Sequence, residues 1–576
     1  MKCHLALLLL ALALAPAQAG RLAVQIEHRW AGQPLPLGEL GLHNAAGNEL
    51  SVTRLAYLLS AVRLQRADGS WLGANDWFAF VNAAQPRTEF SLGEIPPGRY
   101  TALRFDLGLD PATDASDPAT RAAGHPLHPD VNGLHWSWRK GYVFLAVEGR
   151  WRQPDGEVGG YSYHLAGKEA RGTVEVAADL DLTGNALITL VFDADRLFAA
   201  QHQVDIRAAT STHSGEDGGL ASRMADNAVR GFALARVEPD LRPVATEQAS
   251  TVTLPGGLGL KIPAHFPQAH WPADNLPTPP GVALGRRLFH DPRLSINDSQ
   301  SCASCHDPTF AFADPRPVSS GAEGQRGTRN AMPLFNLAWK PSFFWDGRAP
   351  SVRAQVLQPI QDPLEMHETL DRVVGKLAAD PTYPAEFERV FGGREITADR
   401  LARALEQFLL TLVSGEAKLD RVHRGEGQLT DEERRGFELF FTESDPAHGI
   451  RGADCFHCHG GANFTDYQFL NNGLDSDEAR TDSGRAQVTG AAADRGCFMV
   501  PSLRNVALTA PYMHDGRFKT LEEVIEHYDH RVKRSATLDP NLAKHLAWDG
   551  LGLSADEKRA LVAFLRTLSD PPAEAR

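Results

Sequence analysis

Between about Leu22 and Phe198 the pattern of apolar residues is mostly period two. The segment "TALRFDLGLD" puts Leu103, Phe105, Leu107 and Leu109 on one face and Arg104, Asp106 and Gly108 on the other. That alternation is the mark of a half-buried strand. "RLAVQIEHRW", "VTRLAYLLSAVRL", "YVFLAVEGRW", "GTVEVAADLDL" and "NALITLVFD" follow the same pattern, with turn residues such as "PPG" and "PDG" between them. An all-β, sandwich-like domain is predicted over residues 20–238. One connection breaks the rhythm, the long Pro- and His-bearing segment from Asp110 to Gly133. Loops of that length inside compact domains are either functional or disordered. It leads directly into "GLHWSWRKGY" (Gly133–Tyr142), an aromatic stretch that by itself predicts a strand.

A Pro-rich connector follows over residues 239–274, including "KIPAHFPQAHWPADNLPTPPG", and beyond it the periodicity becomes helical. "ADRLARALEQFLLTLVSG" repeats apolar residues at three- and four-residue spacings, and Thr520 with Glu523 forms a capping box at a helix start. This half also repeats itself. "GRRLFHDPRLS…CASCHDPTFAFAD" and "GFELFFTESDP…CFHCHGGANFTD" share a Gly-x-x-Leu-Phe helix, a cysteine pair followed by histidine, and then Phe and Asp. Two similar lobes are expected, over residues 275–427 and 428–570. The fold class is therefore multidomain: an N-terminal all-β sandwich-like domain followed by a mainly α domain of two lobes.

Length and composition agree with this division, since 576 residues with 43% hydrophobic content exceed what one core accommodates. A net charge of -14 without a basic stretch removes the electrostatic footprint of a nucleic-acid or anionic-lipid binder. "MKCHLALLLLALALAPAQAG" has a basic start, an apolar run and Ala17-Gln18-Ala19 before Gly20. This is the pattern of a signal peptide over residues 1–19, and no other segment is long and apolar enough to span a bilayer. Export to the periplasm is expected.

Of six cysteines, Cys3 lies in the leader and Cys497 stands alone, read as a small buried residue. The other four form "CASCH" (Cys302, Cys305, His306) and "CFHCH" (Cys455, Cys458, His459). Cys-x-x-Cys-His attaches haem c: the thiols add to the porphyrin vinyl groups and the adjacent histidine ligates iron. Two haems c are expected.

The motifs "CASCHDP", "GTRNAMPLFN", "FFWDGRAPSVRAQVLQPIQDPLEM", "CFHCH" and "VPSLRNVALTAPYMHDGRFKTLEEVIEHY" resemble the bacterial dihaem cytochrome c peroxidase superfamily, which includes MauG and MbnH. The resemblance implies that the first haem reacts with hydrogen peroxide, with Glu365 as acid-base residue and Gln355 beside it. It implies that the second haem stores electrons with Tyr528 as its other axial ligand, His527 and His530 being neighbouring candidates. Tyrosinate favours higher oxidation states than the methionine of ordinary peroxidases. Trp345 matches the tryptophan between the haems, and Asn336, Thr509 and Pro511 match a calcium site between the lobes.

"PPGRYTALRFDLGLD", "HPDVNGLHWSWRKGYVFLAVEG" and "YSYHLAG" make the first domain similar to the MbnP family of exported copper-binding proteins. The chain looks like a fusion of a copper-binding protein with a peroxide-driven oxidase that converts one of its tryptophans to kynurenine. The candidates for oxidation are Trp136 and Trp138; those for copper are His135 and His164, with His125 and His128 in reserve. Hydrogen peroxide and the chain's own β domain are the expected partners, with a small c-type cytochrome or cupredoxin as electron donor. The competing readings are a peroxide-detoxifying dihaem peroxidase and a non-enzymatic copper storage or electron-transfer protein.

Overall fold

The computed structural model describes residues 20–571, apart from 74–75, 85–88, 122–124, 137–140, 157, 183, 213, 215–218, 241–250, 264, 268 and 445–448. The expected leader, residues 1–19, lies outside the described residues. No described helix is long and apolar enough to cross a membrane.

The N-terminal half is built on two sheets. In one, β1 (Gly20–Trp30) runs parallel to β8 (Ala186–Asp193), which pairs antiparallel with β9 (Phe232–Pro239). The other contains β2 (Arg54–Arg66), β3 (Gly98–Leu107), β5 (Gly141–Arg152), β6 (Val158–Ala166) and β7 (Gly172–Leu182), in the order β7–β3–β2–β5–β6. A short β4 (His135–Trp136) pairs with β5 through His135↔Tyr142 and Trp136↔Gly141. Leu22, Val24 and Ile26 of the first sheet share a core with Tyr57, Leu59 and Phe105 of the second. The period-two pattern thus gives two apolar faces closed on each other. The described residues of the segment preceding β4 form short turns, and Leu127 carbonyl accepts from Tyr142 Oη at 2.8 Å, tying them to β5.

Of the expected connector 239–274, the described residues from 251 onward pack on the first lobe. They contain the hairpin Thr251–Leu254 with Leu258–Lys261, and Ile262, Phe266 and Ala269 enter the core of the first lobe. Pro267 carbonyl accepts from Trp339 Nε1 at 2.7 Å. Proline prevents helix here without preventing burial, and the aromatic residues between the prolines supply the apolar contact.

The two lobes share one helix-pair design. Helices α2 (Pro279–Phe289) and α4 (Ala398–Leu409) cross in the first; α6 (Asp431–Phe440) and α8 (Ala555–Arg566) cross in the second. Each starts on a Thr or Ser whose hydroxyl accepts from an N–H three residues on: Thr278, Thr397, Thr430 and Ser554. The glycine of each Gly-x-x-Leu-Phe sits at the crossing. A Cβ on Gly285 would lie 2.0 Å from Ala404 carbonyl, and one on Gly436 1.9 Å from Ala560 carbonyl.

The repeat reaches further than the sequence signature. Asn336 and Asn505 both take positive φ before short 3-10 turns. Phe343 bridges Ala349 as Tyr512 bridges Phe518. Buried Ser414 joins the lobes: its N–H donates to Asn336 Oδ1 at 2.8 Å and its Oγ accepts from Asn505 Nδ2 at 2.9 Å.

Candidate functional site

Each Cys-x-x-Cys-His folds into a tight turn that brings the histidine back beside the first cysteine. His306 N–H donates to Cys302 carbonyl at 3.0 Å and His459 N–H to Cys455 carbonyl at 2.9 Å. His306 Nδ1 lies 3.0 Å from Phe312 carbonyl, and His459 Nδ1 3.1 Å from Phe464 carbonyl. A carbonyl only accepts, so Nδ1 carries the proton and Nε2 keeps its lone pair for a metal. Burial lowers the pKa of both rings, to about 4 for His459, which keeps them neutral and fit to ligate.

The second motif opens on an apolar cavity lined by Cys455, Cys458, His459, Leu503, Ile525 and Tyr528. A flat, largely apolar macrocycle with iron at its centre suits these walls, with thiols and imidazole together on the lining. Tyr528 comes from α7 (Leu521–His530), begun by the expected Thr520–Glu523 capping box. Burial raises its phenol pKa above the ordinary range, and its Oη lies 3.4 Å from Asn472 Nδ2. The two histidines flanking it do not share its position. His527 Nε2 meets Asn472 carbonyl at 3.0 Å, and the half-exposed His530 is paired with Glu526 at 2.9 Å. Met513 also lines the cavity, its sulfur 3.4 Å from the same Asn472 Nδ2. Sequence reasoning passed over it, although "PYMHDG" contains a thioether ligand type.

At the first motif, Glu365 follows α3 (Val352–Gln361), which carries Gln355. Burial, with Asp362 adding and Arg348 opposing, raises the Glu365 pKa to about 7. Its charge helps raise the pKa of both Cys302 and Cys305, so it lies within electrostatic reach of the attachment site. A carboxyl group balanced between its two forms near neutral pH suits proton removal and return. Trp345 is buried, donates from Nε1 to Asn330 carbonyl at 2.8 Å, and lines the second lobe's cavity although the first lobe supplies it.

Thr509 and Pro511 line the second cavity, but Asn336 is already engaged. Its Oδ1 accepts from Ser414, and its Nδ2 donates to Ser414 carbonyl at 3.0 Å and Asn463 Oδ1 at 2.9 Å. These bonds fasten the lobes together and leave Asn336 Oδ1 a second lone pair.

The β domain docks on the second motif. A Cβ on Gly133 would lie 3.1 Å from Phe456, the first residue between the two cysteines. His457, the second, accepts on Nδ1 from Arg54 Nη1 at 2.9 Å. Arg54 also pairs with buried Glu148 at 2.7 Å, and Glu148 accepts from Asn541 Nδ2 at 3.0 Å. Burial alone would raise the Glu148 pKa, but Arg54 and His457 outweigh it and hold the carboxyl well below its usual range. Sequence reasoning missed this cluster; its signal was a lone Glu148 inside the apolar run "YVFLAVEGRW".

His164 belongs to the same cluster. Its Nε2 lies 2.9 Å from Glu148 and its Nδ1 3.6 Å from Glu443. Burial lowers its pKa, yet Glu443 and Glu148 prevail and raise it to about 9. The expected pairing with His135 is therefore not formed. The two flank β5 at Ala146 and Tyr142, about 13 Å apart along the strand. His135 stacks edge-on against Tyr142 at 4.8 Å, His125 packs on Phe78 at 5.6 Å, and His128 on His423 at 5.5 Å. Trp136 has its backbone in β4, whereas its side chain and all of Trp138 lie outside the described residues. Cys497 is buried, as expected.

A family model described as di-haem cytochrome c peroxidase matches residues 279–428, and one described as MbnP matches residues 19–214. The chain is 40% identical to the methylamine utilization protein MauG of Methylorubrum extorquens, over 52% of this chain and 82% of that protein. It is 34% identical to cytochrome c551 peroxidase of Nitrosomonas europaea, over 54% and 90% respectively. Among solved structures, a MauG-like protein associated with microbial copper homeostasis aligns with a TM-score of 0.49 at 34% identity, covering 54% of this chain and 95% of that one.

Proposed function

From the chain's membership of the di-haem cytochrome c peroxidase family, with an MbnP domain fused ahead of it, we propose the following. It uses hydrogen peroxide to convert a tryptophan of its own β domain to kynurenine, supporting a copper site there. The observation that carries this reading is the contact of Gly133 with Phe456. The stretch bearing Trp136 and Trp138 begins against the attachment turn of the second haem. Holding a substrate side chain at its oxidant replaces a bimolecular encounter with a fixed geometry.

The haems, when bound, supply peroxide reduction and storage of the oxidising equivalents. The chain's residues do the rest. Glu365 takes a proton from peroxide and returns it to the departing oxygen, with Gln355 beside it. Trp345, on the wall of the second cavity, passes electrons between the two sites, and Tyr528 favours the higher oxidation states over Met513. Two equivalents of peroxide turn tryptophan into N-formylkynurenine and water, and hydrolysis then releases formate. Copper is assigned to His135 with His125 or His128, since carboxylates surround His164. Calcium, if bound between the lobes, would take the carbonyls of Thr509 and Pro511 and the second lone pair of Asn336 Oδ1, whose other bonds fasten the lobes. Export to the periplasm, and a small c-type cytochrome or cupredoxin as electron donor, complete the proposal.

Peptide mass spectrometry of the full-length dihaem protein before and after peroxide tests it. A kynurenine mass shift is expected within residues 129–140. Rapid peroxide turnover with reduced cytochrome and every tryptophan unmodified would overturn it in favour of detoxification.

A further inference from the structure

The β domain holds a phenol whose surroundings differ from those of its other buried tyrosines. Tyr100, Tyr142, Tyr161 and Tyr163 donate to the backbone carbonyls of Pro96, Leu127, Ser51 and Ala209. A carbonyl satisfies the hydroxyl but cannot take its proton. Tyr57, on β2 and fully buried, instead has its Oη 3.0 Å from His28 Nε2 on β1. Burial lowers the His28 pKa to about 4, so the ring is neutral and one nitrogen is an open base. Phe192 and Phe232 pack on Tyr57 at 5.3 and 5.9 Å and present nothing that competes for the proton.

The same strand reaches the second haem's attachment turn. Thr53 carbonyl accepts from Gln468 Nε2, and Arg54 Nη1 donates to His457. Tyr57 lies three residues further on, about 10 Å along β2.

We propose that Tyr57 and His28 form a reversible one-electron oxidation site that holds an oxidising equivalent inside the β domain. Tyr57 gives one electron to the peroxide-oxidised dihaem unit and its phenolic proton to His28 Nε2, leaving a neutral tyrosyl radical and an imidazolium. When an electron returns, so does the proton. Burial makes the imidazolium costly and favours that return. The inference rests on the peroxide-driven oxidant of the C-terminal half and not on the kynurenine step.

The test is freeze-quenched electron paramagnetic resonance of the full-length dihaem protein after peroxide, with ring-deuterated tyrosine to identify the radical and haem absorption recorded in parallel. A tyrosyl signal is expected in the parent protein, at least tenfold weaker in Tyr57→Phe and in His28→Gln, and unchanged in Tyr100→Phe, with the haem response intact in all four. His28→Gln retains hydrogen-bonding groups but removes the base. A signal that survives Tyr57→Phe or His28→Gln, or no tyrosyl signal despite a normal haem response, overturns the proposal and leaves the pair as core hydrogen bonding. An absent haem response in the parent protein would bring down the dihaem reading itself.

Discussion

The two lobes of the C-terminal half are one design with two sets of neighbours. Both have a glycine at a helix crossing, a Cys-x-x-Cys-His turn and a histidine whose Nδ1 meets a carbonyl six or five residues on. They part beyond that frame. The first has Glu365, its pKa raised by burial, within electrostatic reach of its thiols; the second offers Tyr528 and an apolar cavity, and the β domain covers its turn. Where the first lobe has Trp345 after its Phe343 bridge, the second has His514 after Tyr512. The duplicated scaffold fixes attachment and ligation, while side chains that differ between the two copies, and the β domain packed on one of them, assign each site its chemistry.

The largest test of that division is Glu365→Gln. A fall of about 10²- to 10⁴-fold in the peroxide reaction is expected, the range for loss of a general acid-base group. Attachment of both haems should be unchanged, as stopped-flow absorption and pyridine haemochrome assay would show. In the parent protein the rate should rise with pH through about 7, as the Glu365 carboxylate forms. The sign for stability is opposite. A carboxyl whose folded pKa is raised binds its proton more tightly in the folded state, so its contribution declines from the ordinary carboxylate range up to about 7. A flat pH profile would dissolve the distinction between the lobes.

Next in size is Glu148→Ala, which removes the carboxylate between Arg54, His164 and Asn541. Leaving buried charges without their partner costs about 3–5 kcal/mol. Calorimetry should show the β domain and second lobe destabilised together, with the first lobe unaffected. Destabilisation spread evenly over both lobes would show that the β domain does not discriminate between them.

The smallest effect tests what the lobes have in common. Gly285→Ala and Gly436→Ala each force a methyl group against a carbonyl of the crossing helix, at a cost of about 1–3 kcal/mol. Matching losses in denaturant unfolding would support the duplicated crossing; a loss in only one would break it.

Much of this was legible in the residues. Alternation along Leu103–Leu109 located a strand, Thr520 and Glu523 located a helix start, and the spacing of Cys302, Cys305 and His306 announced a haem. Such signals are local, because strand period, capping and attachment chemistry act over a few residues. The connector misled because proline content reports backbone stiffness and not burial, so Phe266 gave no sign of entering a core. His164 misled because a histidine's partners are set by what packs on it, and Glu443 lies far away in the chain.

The two classes of structure, the duplicated lobes, both attachment motifs and the resemblance that makes Glu365 and Tyr528 candidates can all be read along the chain. Tertiary structure alone decided that Gly133 meets Phe456, that Asn336 joins lobes through Ser414, and that Tyr57 faces a base where its fellow tyrosines face carbonyls. The physical reason is range. Covalent spacing and periodicity are written along the chain, whereas charge pairing, proton acceptance and electron proximity depend on atoms that only folding brings within a few ångströms.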